Sequence, residues 1–130
     1  MSGILTIREV QERTGISAHA LRYYERIGLI TGIGRSANGH RVYTSDDVAW
    51  IETLKLLRST GMPIRRVKEL DRLRRQGNRG IEARIAYFVQ YRDELQCEIE
   101  SRLAAIATID KKIDRHRKML AEINAAEDSE

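Results

Sequence analysis

Near its start, the chain combines several side chains that can contact a polyanion. Four of them fall on one helix face, at positions i, i+3, i+4 and i+7, in and just before the stretch "LRYYERIGLI": His19, Arg22, Tyr23 and Arg26. An arginine can bind a phosphate or the O6/N7 edge of guanine, and a tyrosine hydroxyl can donate to a phosphate. The opposite face carries residues that can pack inward: Ala20, Leu21, Tyr24 and Ile27. The pattern indicates a surface for nucleic acid.

Two short helices with clear end signals would position this face. Thr6 followed by Glu9 forms a capping box for the first helix, and Gly15 ends it. Ser17 can cap the second helix, and Gly28 can end it in a left-handed conformation. Two helices joined by "TGIS" predict a helix-turn-helix.

Residues 29–43 have a different character. Two β-compatible runs, 29–31 and 40–43, flank a segment rich in glycine, serine and Asn-Gly. They predict a two-stranded hairpin with a basic tip, which we call the wing.

Two further helices should follow the wing. Thr44 with Asp47 can cap the third helix and Gly61 can end it, while Pro63 fits the first turn of a fourth. Each has an apolar inner face, formed by Val48, Ile51, Leu54 and Leu57 in the third helix and by Ile64, Val67, Leu70 and Leu73 in the fourth. The glycine-bearing stretch 76–80 is expected to be a linker.

The rest of the chain predicts one long helix with a coiled-coil seam. Steps of four and three from Ile81 to Ile123 meet thirteen positions, of which ten are apolar, without proline or glycine between them. Such a stripe needs a partner helix, and a homodimer supplies one. The residues expected to form the dimer are Ile85, Phe88, Leu95, Ile99, Ile106, Ile109, Ile113 and Leu120.

Charge is segregated along the chain. Residues 1–80 hold 15 Lys+Arg against 8 Asp+Glu, a net +7, whereas residues 81–130 hold 8 against 11, a net −3. A basic first part favours a nucleic-acid partner. The absence of a long apolar run and of a leader, together with a single cysteine, predicts a cytoplasmic protein with no membrane segment.

No catalytic constellation is present, so we do not expect an enzyme. The three histidines are scattered, and no nucleophile–base or paired-carboxylate arrangement has supporting context. No metal site or cofactor is expected, since soft metals prefer thiolates and the chain has one cysteine. Three residues remain as candidates for an effector response: Cys97, as a passive or an electrophile-sensing thiol, and Tyr87 and Tyr91, as core residues or as part of an apolar pocket with Trp50 and Phe88.

The motifs "LRYYE..GL", "R.Y...D" and "LR..GMPI", in this order and spacing, resemble the MerR family of bacterial transcription regulators. The likeness covers about residues 4–75 closely and continues in general form through the long helix. It implies a mainly α fold, a winged helix-turn-helix followed by an antiparallel coiled coil. It also implies a dimer that binds double-stranded promoter DNA on the bacterial nucleoid. The metal-sensing cysteines that family members carry near the end of the long helix are absent here.

The resemblance also implies site residues and a mechanism. The second helix would enter the major groove with Ser17, His19, Arg22, Tyr23 and Arg26, and the wing would contact the DNA backbone with Arg35, Asn38, Arg41 and Tyr43. Family members bend and untwist an overlong promoter spacer, which affects RNA polymerase indirectly and activates or represses transcription.

The resulting division of the chain is a DNA-binding domain at 1–76, a linker at 77–80, a coiled-coil helix at 81–124 and a disordered acidic tail at 125–130. Two other functions stay open. One is an architectural DNA-binding protein without an inducer, similar to a recombination-directionality factor. The other is a coiled-coil adaptor whose main partner is a protein.

Overall fold

The computed structural model describes residues 3–129 in two compact units, the first ending at Ile81 and the second beginning at Glu82. The elements, in chain order, are β1 (Leu5–Thr6), α1 (Ile7–Thr14), α2 (Ala18–Arg26), β2 (Gly34–Arg35), β3 (Arg41–Tyr43), α3 (Ser45–Ser59), α4 (Ile64–Arg75), a 3-10 helix (Gly77–Gly80) and α5 (Ile81–Asp128). The predicted mainly α fold, with a small β wing and a long C-terminal helix, is confirmed.

The helix-turn-helix has the end signals that the sequence predicts. The Thr6 hydroxyl accepts from the backbone N–H of Glu9, whose carboxylate accepts from the N–H of Thr6 in return. Gly15 follows α1 in the left-handed region, with φ of 72°. The Ser17 hydroxyl caps α2 by accepting from the N–H of Ala20 at 3.1 Å. These caps satisfy backbone donors that the helix interior leaves unpaired.

The wing differs from the expected hairpin in two respects. The sheet has three antiparallel strands in the order β1-β3-β2, because residues 5–6 pair with the far side of β3. The strand before the turn is Gly34–Arg35 and does not include residues 29–31. Leu29 and Ile30 are instead buried, at 1% and 3% exposure, directly after the end of α2. Burial of these two apolar side chains in the core places the start of the wing later in the chain.

The core of the first unit is formed by side chains of α1, α2, α3 and α4. The apolar faces predicted for α3 and α4 point inward: Val48, Ile51, Leu54, Leu57, Val67 and Leu70 are buried, and Ile64 and Leu73 are partly buried. Trp50 adds a buried hydrogen bond to this core, since its Nε1 donates to the carbonyl of Leu29 at 2.7 Å. This core fixes α2 at the surface of the unit.

The segment expected to be a linker forms the 3-10 helix, just before the boundary between the two units, and its last residue, Gly80, is buried. The tail expected to be disordered is also helical, since α5 continues to Asp128 and Glu130 alone of that tail lies outside the described residues. Residues 124–128, "NAAED", hold neither glycine nor proline, so nothing stops the helix there. At about 1.5 Å per residue, α5 is roughly 72 Å long.

Candidate nucleic-acid interface

The exposed face of α2 carries the basic and aromatic residues that the sequence places there. His19, Arg22 and Arg26 are exposed, and Tyr23 retains 41% of its accessible surface. The Tyr23 ring leans on that of Tyr24, with centroids 5.6 Å apart and planes at 55°. Packing against this neighbour holds the Tyr23 ring while it leaves the side chain open to a ligand.

The wing contributes a third arginine to this face. Arg41 of β3 reaches α2, where its Nε lies 3.0 Å from Oε2 of Glu25. The Nε atom is enclosed, yet its N–H makes no hydrogen bond of good geometry. His19, Arg22 and Arg26 complete an open depression around this pair. The depression is cationic overall, and it contains one arginine whose donor is poorly satisfied, which suits an anion.

The wing itself holds a pair of like charges. Arg35 of β2 stands directly opposite Arg41 of β3 in the strand register. Directly opposed residues share one face of the sheet, and like charges there are unfavourable. Arg35 Nη1 donates to the carbonyl of Gly39 at 2.9 Å, and Asn38 is exposed in the same turn. A phosphate beside the two arginines would relieve their repulsion.

Tyr43, which the family resemblance places among the contacts of the wing with the DNA backbone, has a buried side chain with 2% of its surface exposed. It belongs to the central strand, where it pairs with Leu5 of β1. Burial raises the pKa of Tyr43 above its ordinary value, and the nearby Glu25 carboxylate raises it further, against opposing effects of Arg41 and Arg22. The contact of Tyr43 with the DNA backbone stays a prediction.

The seam of α5 is an apolar face on the second unit. Ile85, Ile99, Ile106, Ile109 and Leu120 expose between 52% and 58% of their surface, Phe88 and Ile113 between 41% and 43%, and Leu95 is partly buried. Three exposed apolar residues outside the thirteen seam positions widen the face: Val89, Leu103 and Met119. They occupy the e and g positions beside the seam, a signal that a strict a/d count cannot detect.

The candidates for an effector response have distinct surroundings. Cys97 is exposed and unbridged, in an open depression shared with Asp93 and Glu94. Tyr87 packs edge to face on Phe88 at 6.0 Å, and Tyr91 is buried. Trp50 is a core residue of the first unit. Among residues 3–129, no group of three His, Cys, Asp or Glu side chains could hold a metal ion, and no helix is long and apolar enough to cross a membrane.

Comparison with known proteins decides the family. The model of the MerR HTH family regulatory proteins matches residues 5–73, which is more than half of the chain. The chain belongs to the MerR family. An uncharacterized HTH-type transcriptional regulator of Haemophilus influenzae is 29% identical over 116 residues, covering 89% of this chain and 86% of the relative.

Two solved MerR structures share the fold. A MerR family transcriptional regulator from Listeria monocytogenes superposes with a TM-score of 0.72 at 34% identity, covering 93% of this chain and 97% of the other. HiNmlR, a MerR family regulator lacking the sensor domain and bound to promoter DNA, gives a TM-score of 0.67 at 31% identity, with 76% and 75% covered.

Proposed function

We propose that this MerR-family chain binds promoter spacer DNA as a homodimer and regulates transcription by distorting that spacer. The observation that carries the proposal is the cationic depression on α2, in which His19, Arg22, Arg26 and Arg41 converge. A related MerR structure at 31% identity holds promoter DNA. The helix α2 therefore acts as the recognition helix, and the wing holds the backbone beside it.

The chemistry of each contact follows from its side chain. Arg22 and Arg26 can bind the O6/N7 edge of guanine in a bidentate manner or can bind phosphates. Tyr23 can donate its hydroxyl to a phosphate while its ring packs on a sugar or a thymine methyl group. Ser17 contacts DNA from the N-terminal end of α2, where the helix dipole also favours an anion. Arg35 and Asn38 contact phosphates from the wing.

A second copy of the chain covers the seam of α5. Burial of one large apolar side chain stabilises by about 1.5–3 kcal/mol, and at least seven seam residues expose two fifths or more of their surface. We assign the two helices an antiparallel arrangement, as the family resemblance implies. Such a dimer presents two recognition helices to two half-sites.

The residues of the seam select one antiparallel register, with its dyad at Ala104. In this register the seam maps onto itself, and four apolar layers are paired on each side of the dyad: Ile85 with Ile123, Phe88 with Leu120, Leu95 with Ile113 and Ile99 with Ile109. The one mixed layer on each side places Ile106 opposite Arg102 of the second copy. Arg92 and His116 share a polar layer, and Glu98 stands opposite Lys112 of the second copy. A slip of one heptad in either direction raises the number of mixed layers on each side of the dyad from one to three, for example by placing Ile99 opposite Arg102 or opposite His116.

The register can be measured with spin labels at two outward positions, the native Cys97 and Lys118→Cys in a Cys97→Ser background. The dyad at Ala104 predicts axial separations of about 21 Å at position 97 and about 42 Å at position 118. A slip of one heptad predicts about 10 and 52 Å, or about 31 Å at both sites. A parallel dimer brings both label pairs side by side, and a monomer gives no dipolar coupling; either result would contradict the proposed interface.

Genome-wide mapping of bound DNA tests the function itself. We expect sites in promoters whose −35 and −10 elements are unusually far apart, with transcription that changes when the chain is removed. Sites at recombination junctions with no transcriptional effect would favour the architectural alternative. If the mapping finds no bound DNA sites but the chain binds another protein, the result would favour the coiled-coil adaptor.

A further inference from the structure

Asp71 of α4 is a buried carboxylate that the proposed DNA contacts do not use. It is 5% exposed, and both of its oxygens are engaged. Oδ1 accepts from Nη2 of Arg74 at 2.7 Å and from its Nε at 3.1 Å, while Oδ2 lies 2.8 Å from Nε of Arg75. A buried charge persists when it is paired and hydrogen-bonded in this way.

Arg75 also contacts the turn that follows the recognition helix α2, and Arg74 packs on Trp50, which contacts the same turn. Arg75 Nη2 donates to the carbonyl of Gly28 at 2.6 Å, across 47 positions of the chain. The Arg74 guanidinium lies 4.4 Å from the centre of the Trp50 ring, and Trp50 Nε1 donates to the carbonyl of Leu29 at 2.7 Å. Asp71 thus holds two arginines: Arg75 binds the Gly28 carbonyl directly, and Arg74 packs on the Trp50 ring that binds the Leu29 carbonyl.

Those carbonyls belong to the turn that ends α2. Gly28 is left-handed, with φ of 84°, and the N–H of Leu29 donates to the carbonyl of Tyr24 at 2.9 Å. The turn is therefore bonded both to the recognition helix and, through Arg75 and Trp50, to α4 and α3. The ion pairs of Asp71 lie within α4, but the arginines that they hold also contact Gly28 and Trp50, outside that helix.

We infer that Asp71 is a positioning residue for DNA recognition, which sets the angle of α2 through Arg74 and Arg75. The inference rests on the proposed function of α2 as the recognition helix. Bidentate contacts to base edges tolerate little misalignment, while contacts to phosphates fix affinity without reading sequence. Loss of the network should therefore lower the preference for the specific site more than it lowers binding to other DNA.

The test compares Asp71→Asn, Arg75→Gln and the double variant in the full-length protein. The matched control is Glu69→Gln, which removes the same charge from an exposed position on the same helix. Affinities for the mapped site and for unrelated DNA of equal length are measured at several salt concentrations, and thermal unfolding is recorded in parallel. If the wild-type protein shows no preference between the two DNAs, the proposed function is wrong. The inference about Asp71 is judged separately, from the difference between the variants and the wild type.

We expect Asp71→Asn to reduce the ratio of specific to non-specific affinity by tenfold or more relative to Glu69→Gln. The double variant should be no worse than Asp71→Asn, because both changes break one network. A lower unfolding temperature with an unchanged affinity ratio would overturn the inference. So would additive losses with a salt slope reduced by about one in Arg75→Gln, since Arg75 would then bind a phosphate itself. If Asp71→Asn does not fold, the affinity ratio of Arg75→Gln decides in the same way.

Discussion

Arg41 and Glu25 join the wing to α2 through a charge contact of 3.0 Å between Nε and Oε2. The contact places a carboxylate within an otherwise cationic depression. It also leaves the enclosed Nε–H of Arg41 without an aligned acceptor. We expect a DNA phosphate to replace Glu25 as the partner of Arg41, so that the pair would compete with DNA binding.

Glu25→Gln should therefore strengthen binding to unrelated DNA by about threefold to tenfold at low salt. The gain should shrink as salt rises, because screening reduces the repulsion between Glu25 and phosphates. Fluorescence anisotropy over a range of salt concentrations measures both effects. Weaker binding at every concentration would mean that Glu25 mainly holds Arg41 in its binding position.

Arg22→Ala should weaken specific binding by about 1–3 kcal/mol if Arg22 contacts a base, or reduce the salt slope by about one if it contacts a phosphate. Tyr23→Phe should cost less, since only the hydroxyl is lost. Arg8→Ala is a suitable control, because Arg8 is exposed on α1 and pairs only loosely with Glu12 at 4.0 Å. Equal affinities for the wild type, Arg22→Ala and Tyr23→Phe at all salt concentrations would show that this face does not meet DNA.

The sequence predicts most of the local structure because the signals are local. The capping residues Thr6, Ser17 and Thr44 mark helix starts correctly, since each cap involves partners three positions away. The wing boundary was predicted wrongly because tertiary burial of Leu29 and Ile30 outweighed their β propensity.

Contacts between residues that are far apart in the chain could not be predicted from the sequence, for a physical reason. The bond from Arg75 to Gly28 and the contact of Arg41 with Glu25 depend on how distant elements pack, and no fixed spacing signals them. The burial of Tyr43 is equally hard to predict, because a strand of three residues is too short for its alternation to show which side chains are buried. The DNA contacts, the dimer and any effector response of Cys97 stay predictions.

Seam disruption tests the need for a dimer. Ile109→Asp should produce monomers with much weaker operator binding, since the new charge would face Ile99 of the second copy and lack a partner. Thr108→Asp, which changes an outward position of the same turn, should remain dimeric. Sedimentation at micromolar concentration measures both variants, and a monomeric wild type would contradict the dimer.

Gly80 is expected to tolerate no side chain. A Cβ atom there would lie 2.1 Å from the carbonyl oxygen of Leu73, which is backbone and cannot move aside easily. Gly80→Ala should therefore destabilise the protein by about 1–3 kcal/mol, whereas Asn78→Ala in the same 3-10 helix should have little effect. Equal unfolding temperatures for the two variants would show that the turn adjusts freely.

Tyr43 should make stability sensitive to alkaline pH. Its pKa is raised above 10.0 in the folded state, so the folded protein holds this proton more tightly than the unfolded chain does. Stability is then fully present below about pH 10 and is lost as pH rises through the folded pKa. Denaturant unfolding of the wild type and of Tyr43→Phe from neutral to alkaline pH measures the difference, which should grow only in the alkaline range. Parallel pH profiles would contradict the role of burial.

The most direct test of the central claim is to shorten the spacer of a mapped target promoter stepwise to the ordinary length. Transcription is measured at each length with and without the protein. Because distortion of the spacer costs free energy and serves only to realign the −35 and −10 elements, an ordinary spacer should make expression high and independent of the protein. Bound protein should then be neutral or inhibitory. Continued dependence on the protein at the ordinary length would contradict spacer distortion and indicate direct recruitment of RNA polymerase.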